Sequence, residues 1–299
     1  MKVYNNDMNL YLGCPVWSFK GWVGNFYPKK TKPSEFLREY AKRLTTIEGN
    51  TTFYATPSRK TMEGWLEDMP EMFRFCPKVP KMISHSGKLT DQLDAAKQFV
   101  EIMSELGSRL GPMFLQLPPG FSPRLMPDLA KFLAGWPQDV RLGVEVRHLG
   151  WFEDENRQML NDLLASRNMA RVVIDTRPMR DFSVDESVTG NAYDSLMEAR
   201  ERKPDVPVFE ELTADFTFLR FIGHPDFNQN QVWVDEWVNR ITDHLKSGVE
   251  PYVFCHTPDN LQAPNLCREF YRQIASRIEV PKLPWDEAGP DDPIQTTMF

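Results

Sequence analysis

Residues 45–58, "TTIEGNTTFYATPS", begin as a buried strand and then place a carboxylate, a glycine and a carboxamide where apolar residues would be expected. Side chains alternate along an extended chain, so Thr46, Glu48 and Asn50 share one face while Ile47 takes the other. Seven further runs have the same size and character: "LYLGC", "FRFCPK", "PMFLQLP", "RLGVEVR", "RVVIDT", "FTFLRFIG" and "PYVFCHT". Each is rich in β-branched or aromatic residues and reads as a strand. Between them lie amphipathic segments. The clearest is residues 90–110, where Leu93, Ala96, Val100, Met103 and Leu106 keep one face apolar after Thr90, a predicted N-cap. Leu266, Phe270 and Ile274 repeat the pattern near the end. Strand and helix alternating eight times predict parallel pairing with right-handed crossovers, hence a single (β/α)8 TIM-type barrel of the α/β class. An open doubly wound sheet is the alternative, and eight similar units argue against it.

Two segments exceed a minimal barrel. Residues 176–214 form an overlong connection after the sixth strand, where long loops are often functional. Residues 280–299 are rich in Pro and Asp and read as an irregular tail, which divides the chain into a barrel domain over 1–279 and a C-terminal extension.

Bulk composition excludes several classes. The 299 residues carry 35 basic and 42 acidic side chains, and a net charge of −7 disfavours sequence-independent binding to duplex DNA. The four cysteines, Cys14, Cys76, Cys255 and Cys267, show no C-x-x-C spacing and read as buried thiols in a reducing compartment. The opening lacks the apolar stretch of a signal peptide, and no segment approaches a membrane span, so the expected location is cytoplasmic with no membrane partner.

Alternation also points polar side chains into the barrel. In the fifth run Leu142, Val144 and Val146 would face the helices, leaving Gly143, Glu145 and Arg147 inward. Continuing round the barrel adds Lys78, Gln116, Asp175, Arg220, His224 and His256, all at or near carboxyl ends of strands. Function in this fold gathers at that face. The competing reading is a polar plug whose acids and bases satisfy one another.

The chemistry narrows by residue type. The strand-four and strand-seven positions of common retaining glycosidases hold Gln116 and Arg220 here, and Glu48 and Glu145 on nearly opposite strands suit inverting geometry better. No cofactor is predicted. A divalent metal would need several of Glu145, Asp175, His224 and His256 to converge, and no H-x-x-x-H spacing supports that. Lys78 could form a Schiff base if burial lowered its pKa, but nearby carboxylates are expected to raise it. Arg147, Arg177, Arg180 and Arg220 could bind an anion such as phosphate or simply pair with Glu48, Glu145 and Asp175. The first βα loop, "CPVWSFKGWVGNFYPKK", supplies Trp17, Phe19, Trp22, Phe26 and Tyr27, which could stack on a sugar or base or pack on one another as a lid. Phosphate-loop, dinucleotide and G-x-S-x-G signatures are absent.

Seven ordered segments, "GCPVWSFKGWVGNFYP", "EGNTTFYATPS", "FRFCPKVPKMISH", "LGPMFLQLPPGF", "EVRHLGWF", "FLRFIGHPD" and "YVFCHTPDNLQAPNLC", resemble the YecE-like family, catalogued as domain of unknown function 72. The resemblance implies a TIM-type barrel in a bacterial protein of open activity. It matches family motif positions at Glu48, Asn50, Thr52, Phe53, Tyr54, Lys78, His85, Gln116, Pro118, Glu145, Arg147, Trp151, Asp175 and Arg220. Where members commonly carry an asparagine after the eighth strand this chain has His256, and His224 comes later than the family's histidine. Separately, the terminal "QTTMF", through Gln295, Met298 and Phe299, resembles the peptide by which bacterial proteins bind the DNA sliding clamp.

These readings lead to an acid/base enzyme acting on a sugar-like or nucleotide-like anionic small molecule. Glu48, Glu145 and Asp175 are the candidate catalytic residues. Asn50, Lys78, Gln116, Arg147, Arg220, His224, His256, Trp17 and Trp22 are the candidate binding residues. The alternative is a DNA-maintenance accessory protein recruited to the clamp by its tail. Composition alone does not decide whether the chain is an enzyme.

Overall fold

The computed structural model describes residues 9–180 and 188–287. All eight apolar runs form strands: β1 (Tyr11–Cys14), β2 (Thr46–Gly49), β3 (Arg74–Pro77), β4 (Met113–Gln116), β5 (Leu142–Glu145), β6 (Ala170–Asp175), β7 (Phe216–Ile222) and β8 (Glu250–His256). The longer helices alternate with them: α1 (Phe36–Ala41), α2 (Arg59–Asp68), α3 (Leu93–Ser104), α4 (Met126–Ala134), α5 (Asp154–Ala165), α6 (Asn191–Arg202), α7 (Gln231–Lys246) and α8 (Ala263–Ala275). Every strand pair is parallel, in the order β3-β2-β1-β8-β7-β6-β5-β4. The remaining seam, β3 to β4, is joined through isolated bridges, with the Gly111 amide donating to Phe75 O at 2.8 Å and the Val79 amide to Phe114 O at 2.9 Å. The barrel is therefore nearly closed, and its weakest pairing lies between its third and fourth strands.

Strand alternation divides the core in two. Tyr11, Cys76, Phe114, Val172, Phe218, Tyr252 and Phe254 fill the barrel interior, with Tyr11 and Tyr252 stacked at 4.4 Å between ring centroids. The opposite strand face, including Ile47, Leu115, Val144, Phe221 and Val253, packs against the helices. Helix α3 presents Ala96, Phe99, Val100 and Met103 to that layer, and each fully buried large apolar side chain contributes about 1.5–3 kcal/mol. Gly13 permits the close approach of β1 to β2, because a Cβ there would lie 2.2 Å from Thr46 O. Aromatic rings seal the middle of the interior and separate the polar inward residues of the carboxyl end from those of the amino end, such as Arg74 and Glu250.

Helix α3 begins later than expected. Its N-cap is Gln92, whereas the Thr90 amide (3.1 Å) and hydroxyl (2.7 Å) both donate to the Asp128 carboxylate in the first turn of α4. A tertiary acceptor on the neighbouring helix has displaced the local cap.

The long connection after β6 is not structureless: it holds a short turn of helix at Arg177–Arg180, then α6, and returns as extended chain to β7. Residues 181–187 lie outside the described residues, as do residues 288–299 and with them the clamp-like peptide at Gln295, Met298 and Phe299. The first part of the tail docks on the barrel. Leu283 and Trp285 are buried in the main core, and Trp285 packs edge-on against Phe26 at 5.0 Å. All four cysteines are buried free thiols. Among the described residues no helix is long and apolar enough to cross a membrane.

Candidate functional site

Inward parity brings Glu48 (β2), Gln116 (β4), Glu145 (β5), Arg220 (β7) and His256 (β8) together at the carboxyl end of the barrel, with Lys78 and Arg147 just past β3 and β5. Arg220 is the hub. Its Nε donates to Glu48 Oε2 (2.9 Å), one terminal nitrogen to Glu48 Oε1 (2.7 Å) and the other to Glu145 Oε2 (2.6 Å). Around this fork, Arg147 donates to Glu145 Oε1 (2.6 Å) and to Gln116 Oε1 (2.8 Å), and Lys78 Nζ reaches the same Gln116 oxygen at 2.8 Å. His256 Nε2 contacts Glu48 Oε2 at 3.1 Å, and the Asn50 amide bridges Glu48 Oε1 (2.7 Å) and Pro15 O (3.0 Å). Thr52 ties β2 to β3 by donating to Gly49 O (2.8 Å) and Lys78 O (2.6 Å).

The electrostatics follow from burial and from who pairs with whom. Burial alone would push the glutamates up, but the Arg220 guanidinium outweighs it, holding Glu48 well below the carboxylate range. Arg220, Arg147 and Lys78 together hold Glu145 at about 2. Arg220 itself is raised above its ordinary value by the two glutamates against the opposing effect of burial. Burial lowers His256 to about 4 despite Glu48, so the ring is neutral near pH 7 and donates from Nε2. Lys78 falls to about 7 through burial and the neighbouring Arg220, and the attraction of Glu145 and Glu48 does not compensate. The sequence expectation that carboxylates would raise Lys78 is thus reversed: both glutamates are already engaged by arginines.

Four predicted site residues are not part of this ring. Asp175 lies on the opposite parity from Ala170 and Val172, faces the helices, and accepts from Trp237 Nε1 (2.7 Å) and Arg177 (2.7 Å). His224 sits in the turn after β7, its Nδ1 accepting from the Asp226 amide (3.0 Å) and its own amide donating to Asn230 Oδ1 (2.7 Å). Trp22 is 1% exposed and packs against Phe19, Phe26, Tyr27 and Tyr40, with its indole N–H donated to Asn260 O (2.9 Å). Trp17 lies against Trp65 and the outward-facing Phe75. The aromatic loop is therefore a lid packed on itself and on the outer layer. Arg177 is committed to Asp175 and Glu236, and Arg180 to the carbonyls of Arg200 and Lys203.

Of the four residues from which a metal would draw its ligands, Glu145 is engaged by arginines, His256 by Glu48, Asp175 by Trp237 and Arg177, and His224 Nδ1 by the Asp226 amide. Among the described residues no group of three or more His, Cys, Asp or Glu side chains is arranged to hold a metal ion. A separate cavity of about 310 Å³ opens at the amino end, lined by Tyr11, Arg74, Arg141, Glu250 and Tyr252. Arg141 and Glu250 pair there, and that face of such barrels serves stability.

Two residues were not placed in the site by strand parity. Lys203, just past α6, experiences the charges of Arg220, Glu48, Arg147 and Glu145, and burial and Arg220 lower it to about 8. Only the excess length of the connection hinted at it. His85, after β3, lies edge-on to Phe53 at 5.3 Å, bonds Ser84 Oγ at 2.7 Å, and is lowered by burial and by Lys78. It appeared among the family-matching positions without a role.

Comparison with known proteins gives one consistent result. The family described as "Protein of unknown function DUF72" matches residues 11–288. The UPF0759 protein YecE of Escherichia coli is 35% identical over 291 residues, covering 97% of this chain and all of that protein. Among solved structures, a DUF72 family protein from Enterococcus faecalis superposes with a TM-score of 0.65 at 16% identity, covering 92% of this chain and 98% of its own. One from Thermotoga maritima gives 0.64 at 20% identity, covering 89% and 99%. At those identities the structural likeness speaks to the fold alone.

Proposed function

The chain belongs to the DUF72 family of proteins of unknown function, and from that premise we propose that it is an enzyme acting on a small anionic substrate, sugar-like or nucleotide-like, at the carboxyl end of the barrel. The observation carrying this reading is the charge imbalance of the ring. Among the described residues, Lys78, Arg147, Lys203 and Arg220 converge there with only Glu48 and Glu145 opposing them, and His256 is neutral. Buried cations lacking enough counter-charge are stabilised by an anion from solution.

In this reading Glu48 and Glu145 hold Arg220 in place, and Asn50 and Gln116 orient the polar groups around them. Carboxylates held ionised are poor proton donors near neutrality, so proton transfer falls to Lys78, whose pKa of about 7 matches that task. Arg147, Lys78 and Lys203 face the anion.

An anion bound beside Lys78 and Lys203 should raise both from about 7 and about 8, so binding takes up protons. Calorimetric titration with inorganic phosphate at pH 7.5, in two buffers of different ionisation enthalpy, should record that uptake. Arg147→Met should weaken binding about tenfold, equivalent to about 1.4 kcal/mol. Absence of millimolar binding, or binding without proton uptake, would overturn the reading.

A second reading rests on Gln295, Met298 and Phe299, whose spacing suits a sliding-clamp peptide. The intact chain should capture a bacterial clamp and a chain ending at Ile294 should not; equal capture sinks the idea.

A further inference from the structure

Every carboxylate oxygen of the ring is already engaged. Arg220 and Asn50 share Glu48 Oε1, Arg220 and His256 share Glu48 Oε2, and Arg147 and Arg220 divide Glu145 between them. Neither lysine of the site forms an ion pair with a carboxylate among the described residues. Lys78 Nζ instead donates to a neutral oxygen, Gln116 Oε1, which Arg147 also uses. It lies 4.2 Å from the Phe53 ring centroid and 5.6 Å from that of Phe114. The residue is 7% exposed, at the mouth of the barrel. A desolvated amine surrounded by guanidinium groups and denied a carboxylate is the setting in which lysine serves as a nucleophile.

We propose that Lys78 is a nucleophile that forms an imine with the carbonyl group of a small anionic aldehyde or ketone. The proposal rests on the anion-site reading above and narrows its substrate class. In the step, the Nζ lone pair forms a bond to the carbonyl carbon while the carbonyl π bond breaks and its oxygen gains a proton. Loss of the amine proton gives a neutral carbinolamine. Protonation of its hydroxyl and departure of water leave an iminium C=N bond, and loss of the remaining N–H proton to solvent gives the imine, so amine plus carbonyl gives imine plus water without an oxidant or reductant. Arg147 and Lys203 hold the substrate's anionic group, and Gln116 Oε1 aims Nζ.

The groups acting on Lys78 include Glu48 from β2, Gln116 from β4, Glu145 from β5 with Arg147 just past it, Arg220 from β7, and His85 from the turn after β3. Burial and the guanidinium groups prevail over the carboxylates, and the amine titrates at about 7. A substantial fraction is therefore the reactive free base at neutral pH, unlike an ordinary surface lysine.

The test is reductive trapping on the full chain at pH 7. The protein is treated with glyoxylate or glycolaldehyde phosphate and, in parallel, with neutral glycolaldehyde, then with borohydride, and adducts are mapped by peptide mass spectrometry. The expected result is a dominant adduct on Lys78, formed about tenfold or more faster with the anionic aldehydes and slowed by inorganic phosphate. Lys78→Arg should lose it while Lys20→Arg, at an exposed lysine outside the site, retains it; if Lys78→Arg fails to fold, the map of the unaltered chain decides. Adducts confined to exposed lysines such as Lys20 and Lys29 would overturn the imine, and phosphate binding intact in the same sample would leave the anion site standing. Modification of Lys78 at equal rates by charged and neutral aldehydes would instead overturn the anionic class and the anion-site reading with it.

Discussion

Arg220 shows how one side chain sets the state of a whole site. Its guanidinium bridges two buried carboxylates, an arrangement that stabilises little in itself because all three groups were stripped of water. Removing it leaves the buried Glu48 carboxylate without a cation, while Glu145 keeps Arg147. Arg220→Met should therefore cost about 3–5 kcal/mol by urea denaturation at pH 7. The released Glu48 should then have a raised pKa, so the variant should gain stability as pH is lowered toward 5, where the native chain does not. Lys78 carries the opposite linkage. Its folded pKa of about 7 lies below the ordinary lysine value, so the unfolded chain binds the proton more tightly and stability rises as pH increases from about 7 toward 10. Lys203, lowered to about 8, adds in the same direction over the upper part of that window. Lys78→Met should flatten the rise between pH 7 and 9 in denaturation curves; an unchanged slope would mean the amine is not depressed.

At the scale of elements, the barrel is built of short strands whose alternation does most of the sorting. Glu48, Gln116, Glu145, Arg220 and His256 were legible because each shares parity with an apolar interior residue or with its own strand's inward set. Asp175 was misplaced by its position at a strand end, when its parity with Arg171 and Val173 turns it toward Trp237. Thr90 looked like a cap because capping residues are recognised locally, yet Asp128 of the adjacent helix took its donors. Strand pairing also differs round the barrel. β7 and β8 pair over seven consecutive residues, whereas β3 and β4 meet only at isolated bridges. Amide hydrogen exchange should be fastest at the β3–β4 seam, at Gly111 and Val79, and slowest in β7 and β8. Uniform protection of all eight strands would contradict this.

On the scale of the whole molecule, the connection after β6 and the tail are what a barrel template leaves undetermined. The connection returns across the carboxyl end and brings Lys203 to a ring otherwise built from strand ends, while the Arg180 side chain holds the Lys203 carbonyl at 2.7 Å. Its excess length was visible in the sequence, but no periodicity assigns a direction to a side chain in irregular backbone. Likewise Trp285 belongs to a segment with the composition of a loose tail, and its burial against Phe26 and Arg268 is a tertiary event. The sequence by itself determined the barrel, the face on which the polar residues gather and the family, because strand parity and apolar periodicity are local and repeat eight times. Only the tertiary structure decided which charges meet. Arg220 claims both glutamates and thereby leaves Lys78 without a carboxylate, and that allocation depends on distances across the barrel between residues as far apart in the chain as Glu48 and Arg220.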